Sequence, residues 1–577
     1  MLDERPTRRW RAVPAALVTG CAALLVLAAL NVPDRLEQVG PAALVRLPLE
    51  LLVLLAAALL LPPNRPRLRT TYAVAAGLLV AVTAILRVLD LGFREALNRP
   101  FDVLIDWQYA GRLAETLRGS VGAGRGTALL VVAALLAVAL LVVLPLAALR
   151  LTRVAGRDRG AAGRVLAVLA ALWLVLALAG VDSGGRAVAG HGTAAYLYGE
   201  ISRIPSELAD GREFARAAQE DPYRDVPGSR LLTALRGKDV LIVFVESYGR
   251  VAVEDPAISP GVRDVLTRGS ARLAADGFGA RTAWLTSPTF GAVSWLAHST
   301  LQSGLWVDSE QRYDHLVTSP RLTLSRLFAR AGWRTVADVP ANTRDWPQGD
   351  YYGYDRVYDS RNVGYRGPRF GYPTMPDQYT LDAFHRLELA ARHRRPVLAE
   401  IDLISSHAPW SRTPRLIPQA TVGDGSAFLG MPETLPSEGD IWPDPDRVRA
   451  AYAGAIKYSL RAFTRFLTAY GDDDTVVVLL GDHQPATIVS GSHAGFDVPV
   501  SVIARDPMVL DRISSWGWRP GLLPATDAPV WRMDAFRDRF LAAYGPATPR
   551  RDRTTRRAAP ARPAARPSRS MPAARPR

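Results

Sequence analysis

The chain has 577 residues, 49% of them hydrophobic, with 70 Lys+Arg against 55 Asp+Glu and a formal net charge of +15 at pH 7. That length suffices for two or more domains, and the crowding of apolar residues before residue 183 excludes a uniformly water-soluble chain. Cys21 is the sole cysteine, which excludes an intramolecular disulfide and leaves stability to packed cores.

Crossing a bilayer takes roughly 20 apolar residues. Five runs approach that length: Val13 to Leu30, Ala43 to Leu61, Tyr72 to Leu89, Thr127 to Leu149 and Val165 to Val181. Val18-Thr19-Gly20-Cys21 resembles a lipoprotein cleavage box, yet the first apolar run continues to Leu30 and four more follow, so a membrane region is expected over 1–182. Arginines cluster at the amino terminus (Arg5, Arg8, Arg9, Arg11), in the second loop (Arg65, Arg67, Arg69) and in the fourth (Arg150, Arg153, Arg157, Arg159). Five spans put all three segments on one side, which the positive-inside rule makes cytoplasmic, and everything after Val181 outside. The third loop, Asp90 to Gly126, mixes apolar, aromatic and charged residues as an interfacial segment does.

Residues 183–237 read as a polar connector with amphipathic helical stretches, and a globular domain is expected over 238–545. Its strand patterns are Asp239 to Val245, Trp333 to Val339, Pro396 to Ile404, Thr475 to Leu480 and Val498 to Ala504, with helical segments such as LTLSRLFARAG and DAFHRLELAARHRR between them. Alternation of this kind predicts an α/β domain with a largely parallel sheet. Residues 546–577 are rich in Arg, Pro and Ala with nothing to bury, and are expected to be disordered. Such a basic tail suits anionic envelope polymers or lipid headgroups as well as plain solvation, and nucleic acid is a poor partner for a segment outside the cell.

Three strand patterns run out into polar groups: Glu246 after the first, His407 after the third-last, and Asp482-His483 after TVVVLLG. Ligands bind at the carboxyl edge of open α/β sheets, and carboxylate oxygens with imidazole nitrogens are ligands for a divalent metal. A nucleophile is expected nearby in TSPTFGAVSWLAHSTLQSG, residues 286–304, where Thr289 stands before a helical pattern. A hydroxyl near a helix amino terminus and beside a metal suits attack on phosphorus. Ser287 and Ser294 compete with Thr289 for that role.

The order of VFVES, SPTFGAVS, SSHAPW and LLGDH behind a membrane region resembles the lipoteichoic acid synthase and phosphoglycerol transferase group, in the sulfatase branch of the alkaline phosphatase superfamily. The resemblance implies that Glu246, Thr289, Asp482 and His483 hold one divalent metal, manganese in most members, with Mg2+ or Zn2+ as alternatives. It makes Thr289 the nucleophile of a phospho-threonine intermediate, and the AVS that follows is similar to the related phosphoethanolamine transferases. His407 matches the substrate-side histidine of a Ser-His-x-Pro motif, and Arg344 with Trp346 matches an acceptor pocket, although here Arg precedes Trp, and ADVPAN offers no counterpart to an upstream pocket histidine.

The implied function is transfer of a phosphoglycerol-like headgroup from a membrane lipid to an envelope glycolipid or polymer, by a multi-pass plasma-membrane protein with its catalytic domain extracytoplasmic. Phosphoethanolamine transfer and phosphodiester or sulfate-ester hydrolysis are the alternatives within the fold. Formylglycine chemistry needs a Cys/Ser-x-Pro-x-Arg motif that does not precede the predicted helix. A non-catalytic envelope protein is the alternative of another class, and a full set of ligand residues argues against it.

Overall fold

The computed structural model describes residues 7–33, 35–40, 45–108, 111, 114, 123–183, 186–190, 192–391 and 393–546. Arg5 and the basic tail after Pro546 lie outside the described residues, as do parts of the third loop.

Five apolar helices form the amino-terminal part: α1 (Thr7–Leu30), α2 (Leu49–Leu60), α3 (Pro66–Leu97), α4 (Ala123–Arg157) and α5 (Arg159–Leu178). Three of them contain stretches long and apolar enough to cross a membrane, Pro66–Leu97, Gly124–Arg157 and Arg159–Leu178. The apolar parts of the other two, Ala15–Leu30 and Leu49–Leu60, are shorter. The second expected run is cut at its start because Leu47–Pro48 is extended and pairs in parallel with Ala189–Gly190, so helix begins only at Leu49. The third runs eight residues past the expected Leu89, to Leu97, with Asn98 in the left-handed conformation as its cap. α3 and α4 pack closely, since a Cβ at Gly77 would stand 2.4 Å from Pro145 Cα.

Helix ends gather at two levels. At one, Arg69 Nη2 donates to Thr152 O (2.9 Å), Arg150 Nη2 to Ala15 O (2.8 Å), and Arg159 to Leu59 O. At the other, Arg87 donates to Leu30 O (3.0 Å), and Glu50 accepts from the backbone of Thr193 and Ala194 (2.8 Å each). The latter two residues open α6 (Gly192–Gln219), which exposes Tyr198, Ile201 and Ile204.

The domain that follows is built on one nine-stranded sheet. In chain order its strands are β1 (Asp239–Val245), β2 (Gly279–Thr286), β3 (Arg334–Asp338), β4 (Arg356–Tyr358), β5 (Val397–Leu403), β6 (Thr475–Gly481), β7 (Asp497–Ala504), β8 (Arg519–Pro520) and β9 (Val530–Arg532). Their spatial order is β8-β2-β7-β6-β1-β5-β3-β4, with β9 on β2. The five from β6 to β4 are mutually parallel. β7 runs antiparallel to both β6 and β2, so the last expected strand belongs to the sheet but reverses its direction. β1 and β6 are buried along their whole length, as their unbroken apolar runs require of central strands covered on both faces.

Alternate residues of β1 feed two cores. Leu241, Val243 and Val245 pack with α7 (Ser259–Ala275) and, further along the chain, α10 (Asp377–Phe384) and α11 (Pro445–Tyr470). Val240, Ile242 and Phe244 pack on the other face with α8 (Ser294–Ser303), α9 (Leu324–Ala331) and α12 (Ala535–Tyr544). α8 is pinned at its end: Arg537 of α12, fully buried, donates to Ser303 O (2.6 Å) and forks onto Asp221 (2.7 and 2.9 Å). Removing one partner of a buried ion pair strands the other charge at a cost of about 3–5 kcal/mol. Asp221→Ala should therefore lose stability on that scale in chemical denaturation of the detergent-solubilised chain, and an unchanged midpoint would contradict the anchoring of α8 through Arg537.

Candidate active site

The parallel strands β1 and β6 end side by side, in register from Thr475↔Asp239 to Gly481↔Val245, so the next residues, Glu246 and Asp482, emerge as neighbours at the carboxyl edge. The chain turns sharply there. A Cβ at Gly481 would lie 2.0 Å from Tyr248 O, so only glycine fits beneath the turn that carries Ser247. Asp482 Oδ1 accepts from the backbone of Ser247 and of His483, both at 2.7 Å, which locks the two strand ends together. Ser406 at the end of β5 donates to Glu246 O (2.6 Å) and ties in the third strand.

His483 is fully buried, and its Nδ1 lies 2.8 Å from Gln484 O, which fixes the proton on that nitrogen and turns Nε2 into the cluster. Nε2 stands 3.4 Å from Glu246 Oε1 and 3.6 Å from Asp482 Oδ2. Ligand atoms of Glu246, Asp482 and His483 all lie within 4.8 Å of one another. Asp482 Oδ2 is buried and has no hydrogen-bond partner, a costly state for a carboxylate oxygen unless a cation meets it. The three residues thus fit a divalent cation in donor type, spacing and unsatisfied charge.

Burial and their mutual charges perturb all three groups. Burial lifts Asp482 to about 7, with the Glu246 charge adding to the rise. Burial opposes the charged form of His483, but Asp482 and Glu246 raise it to about 9. Burial likewise opposes ionised Glu246, yet the charges of His407 and His483 hold its carboxyl well below the usual range.

Ser294 supplies the hydroxyl at this cluster. Its Oγ lies 3.0 Å from Glu246 Oε2 and 3.2 Å from His483 Nε2, at the first residue of α8, where backbone N–H groups favour an anion. The preceding Val293 has φ 62°, an outlier for a β-branched residue, and such strain is held only by surrounding structure. Thr289 is placed differently: its hydroxyl donates to Ala292 O (2.8 Å). Ser287 donates to Asp482 O (2.6 Å) and supports the strand end from behind. The helix starts five residues beyond Thr289 because Gly291 (φ 73°) and Val293 each turn the chain first.

His407 Nδ1 contacts Ala408 O at 2.5 Å and its ring stacks on Tyr372 at 3.6 Å, near enough to Glu246 and His483 to feel their charges; burial lowers its pKa. Trp346 packs on Tyr352 (ring centroids 5.3 Å apart) in an apolar cluster that also takes Val293 and Trp295, the neighbours of Ser294. Arg344 is exposed on the loop after β3.

A membrane-length helix ends against this site. Leu86, Phe93, Leu97 and Phe101 form a cluster with Ala292, Val293 and Trp295. A Cβ at Gly291 would come 1.7 Å from Ala96 O of α3. Thr487, five residues after Asp482, donates to Glu95 O (2.8 Å) and contacts Glu95 Oε2 (2.7 Å).

Residues 238–499 match the family model described as Sulfatase. Among solved structures the chain is similar to a lipoteichoic acid synthase from Listeria monocytogenes (14% identity, 59% of this chain and 80% of that one, TM-score 0.35). It is also similar to a phosphoglycerol transferase from Streptococcus pyogenes solved with sn-glycerol-1-phosphate (13% identity, 59% and 91%, TM-score 0.32). A third is the soluble domain of lipooligosaccharide phosphoethanolamine transferase A from Neisseria meningitidis (12% identity, 56% and 93%, TM-score 0.35). No curated protein matches the chain.

Replacing Asp482 by Asn should abolish binding of Mn2+ to the purified protein in isothermal titration, whereas Thr289→Ala should leave it intact. Loss of binding in Thr289→Ala would return that threonine to the ligand set.

Proposed function

Because residues 238–499 match the Sulfatase family model, we propose that this chain moves a phospho-headgroup from a membrane phospholipid to an envelope acceptor through a covalent intermediate on Ser294. The observation that carries the reading is the Ser294 hydroxyl, set at a helix amino terminus and hydrogen-bonded to Glu246 and His483, directly against the end of α3. A site lodged at the end of a membrane-length helix meets lipid headgroups far more often than soluble esters. Phosphatidylglycerol is the first choice of donor and phosphatidylethanolamine the second.

Glu246, Asp482 and His483 would hold the divalent cation, for which manganese is the proposed identity. When bound, such a cation supplies Lewis acidity that favours the ionised hydroxyl and the charge gathering on phosphoryl oxygens. Ser294 Oγ passes its proton to His407 and attacks phosphorus as the bond to the diacylglycerol oxygen breaks. His407 Nε2 delivers that proton to the departing diacylglycerol. In the second half an acceptor hydroxyl passes its proton to His407, its oxygen displaces Ser294 from phosphorus, and Ser294 recovers a proton from His407. The amino-terminal backbone of α8 faces the oxygens that gain charge. Trp346 and Arg344, on the loop after β3, are the proposed acceptor-side wall.

The proposed topology has α1 to α5 all crossing. The hydrogen bonds that join Arg69, Arg150 and Arg159 to neighbouring helix ends place the arginine-rich loops together, at the opposite level from Glu50 and Thr193, which supports a cytoplasmic face for the former and an outer face for the domain. Single cysteines in a Cys21→Ser background test it. An impermeant thiol reagent should label positions in the domain of intact cells and spare the loop at 157–159, and the reverse pattern would overturn the topology.

Loss of a nucleophile typically costs 10³-fold or more in turnover. Ser294→Ala should therefore reduce release of diacylglycerol from labelled phosphatidylglycerol or phosphatidylethanolamine by about 10³-fold or more, with Thr289→Ala far milder. Mass spectrometry of the trapped protein should find the headgroup phosphate on Ser294. An adduct on Thr289 would move the nucleophile, and a sulfate adduct would change the reaction class.

A further inference from the structure

α8 carries Ser294, His298 and Gln302 at positions i, i+4 and i+8, one above another on a single face. Ser294 meets Glu246 and His483, while Gln302 Nε2 donates to Glu400 Oε2 (2.5 Å) and its Oε1 accepts from Ser325 N (3.0 Å). His298 stands between them. Its ring lies flat on Phe244 of β1, with centroids 3.9 Å apart and planes at 9°, and its Nδ1 is 2.9 Å from Glu400 Oε1 and 3.6 Å from Asp402 Oδ1. Glu400 and Asp402 come from alternate positions of β5, opposite Ile242 and Phe244, so they share one face of the sheet with Glu246 two residues on.

Glu400 is already fully engaged as an acceptor, with Tyr354 OH (2.9 Å) joining Gln302 and His298. That arrangement fixes the proton on His298 Nδ1 and holds the ring rigidly. Nε2 has no protein partner among the described residues, and the side chain keeps 12% of its surface open. Side chains on a helix lean towards its amino terminus, so the free edge of the imidazole leans towards the turn of Ser294. The charged groups that face the ring are Asp402 and Glu400 from β5 and Asp482 from the end of β6. Burial opposes its charge, but Asp402, Glu400 and Asp482 together raise it to about 9, which favours the imidazolium. A histidine serving only the core has no need of two carboxylates beneath it and an empty nitrogen above. Nor do the three residues favour a cation, although their ligand atoms lie within 4.8 Å of one another: three donors already occupy the Glu400 oxygens, and Asp402 Oδ1, buried without a hydrogen-bond partner, is answered by the His298 ring 3.6 Å away.

We propose that His298 is a second oxyanion-binding group of this site, donating Nε2–H to a non-bridging oxygen of the phosphoryl group at Ser294, with Glu400 and Asp402 as its positioning residues. This role rests on the phosphoryl-transfer reading above and deepens it by assigning a contact to the transferred group.

The test uses the full-length protein in detergent with Mn2+, fluorescent phosphatidylglycerol and phosphatidylethanolamine as substrates, and inorganic phosphate as a binding probe. Loss of one oxyanion donor lowers kcat by about 10²–10³-fold. His298→Ala should show that loss with its metal content unchanged and its phosphate affinity weakened, and His298→Arg should regain part of both. Glu400→Gln should shift the alkaline limb of kcat/KM to lower pH. The sign follows from the charge: the cation is present below its pKa, and removing the carboxylate charge lowers that pKa, so activity is lost earlier as pH rises. A structural role moves no such limb. Wild-type kcat and phosphate affinity in His298→Ala would overturn the proposal, as would loss of a bound metal ion in that variant, and if it does not fold, an unmoved limb in Glu400→Gln overturns it instead. Should the wild type turn over neither lipid while His298→Ala still weakens phosphate binding, lipid transfer fails and the oxyanion contact stands.

Discussion

Two carboxylates and an imidazole, all withdrawn from water at the ends of two adjacent strands, are the constraint on which this structure depends. Burying Glu246 and Asp482 side by side is costly, and the fold offsets the cost only in part. Backbone N–H groups of Ser247 and His483 satisfy one oxygen of Asp482, and the other is left without a partner. Such a site makes physical sense when a cation completes it. The glycine under the turn, the Ser406 bond to the neighbouring strand and the Gln484 carbonyl that orients His483 all hold that geometry in place.

The second constraint is positional. The loop before α8 is threaded against the end of α3 so closely that Gly291 tolerates no side chain, and Phe93, Leu97 and Phe101 pack on the residues beside Ser294. The Ser294 hydroxyl is thereby fixed relative to the apolar helices by packing and by the Thr487–Glu95 hydrogen bonds. At the far end of α8, the buried Arg537–Asp221 pair fixes the same helix from the other side. A helix held at both ends keeps Ser294 and His298 in register with the carboxylates of β1, β5 and β6.

Much of this was legible in the amino-acid order because unbroken apolar runs announce central strands and polar residues that break them announce a site. Glu246, Asp482 and His483 were found in that way. Strand direction was not, because the pattern of β7 is the same whichever way it runs. β2 was missed altogether: GARTAWLT carries polar and small residues where a buried strand has Val or Ile, and its first three residues are only half-buried. Thr289 was expected near the amino terminus of the helix that follows it, yet α8 begins only at Ser294, and Gly291 was the available signal that the chain turns again before helix can begin. His298 went unnoticed because its significance lies in Glu400 and Asp402, more than a hundred residues away. Counting four residues on from each candidate serine would have raised it.

The central claim is that Ser294, and not Thr289, presents its oxygen to a phosphoryl group beside a cation held by Glu246, Asp482 and His483. Anomalous diffraction at the manganese edge, from crystals of the protein soaked with MnCl2 and inorganic phosphate, addresses it directly. The account predicts a manganese peak enclosed by Glu246, Asp482 and His483, with the phosphate lying between that peak, Ser294 Oγ and His298 Nε2. A manganese peak at His298, Glu400 and Asp402 instead, or a phosphate seated on Thr289, would contradict it.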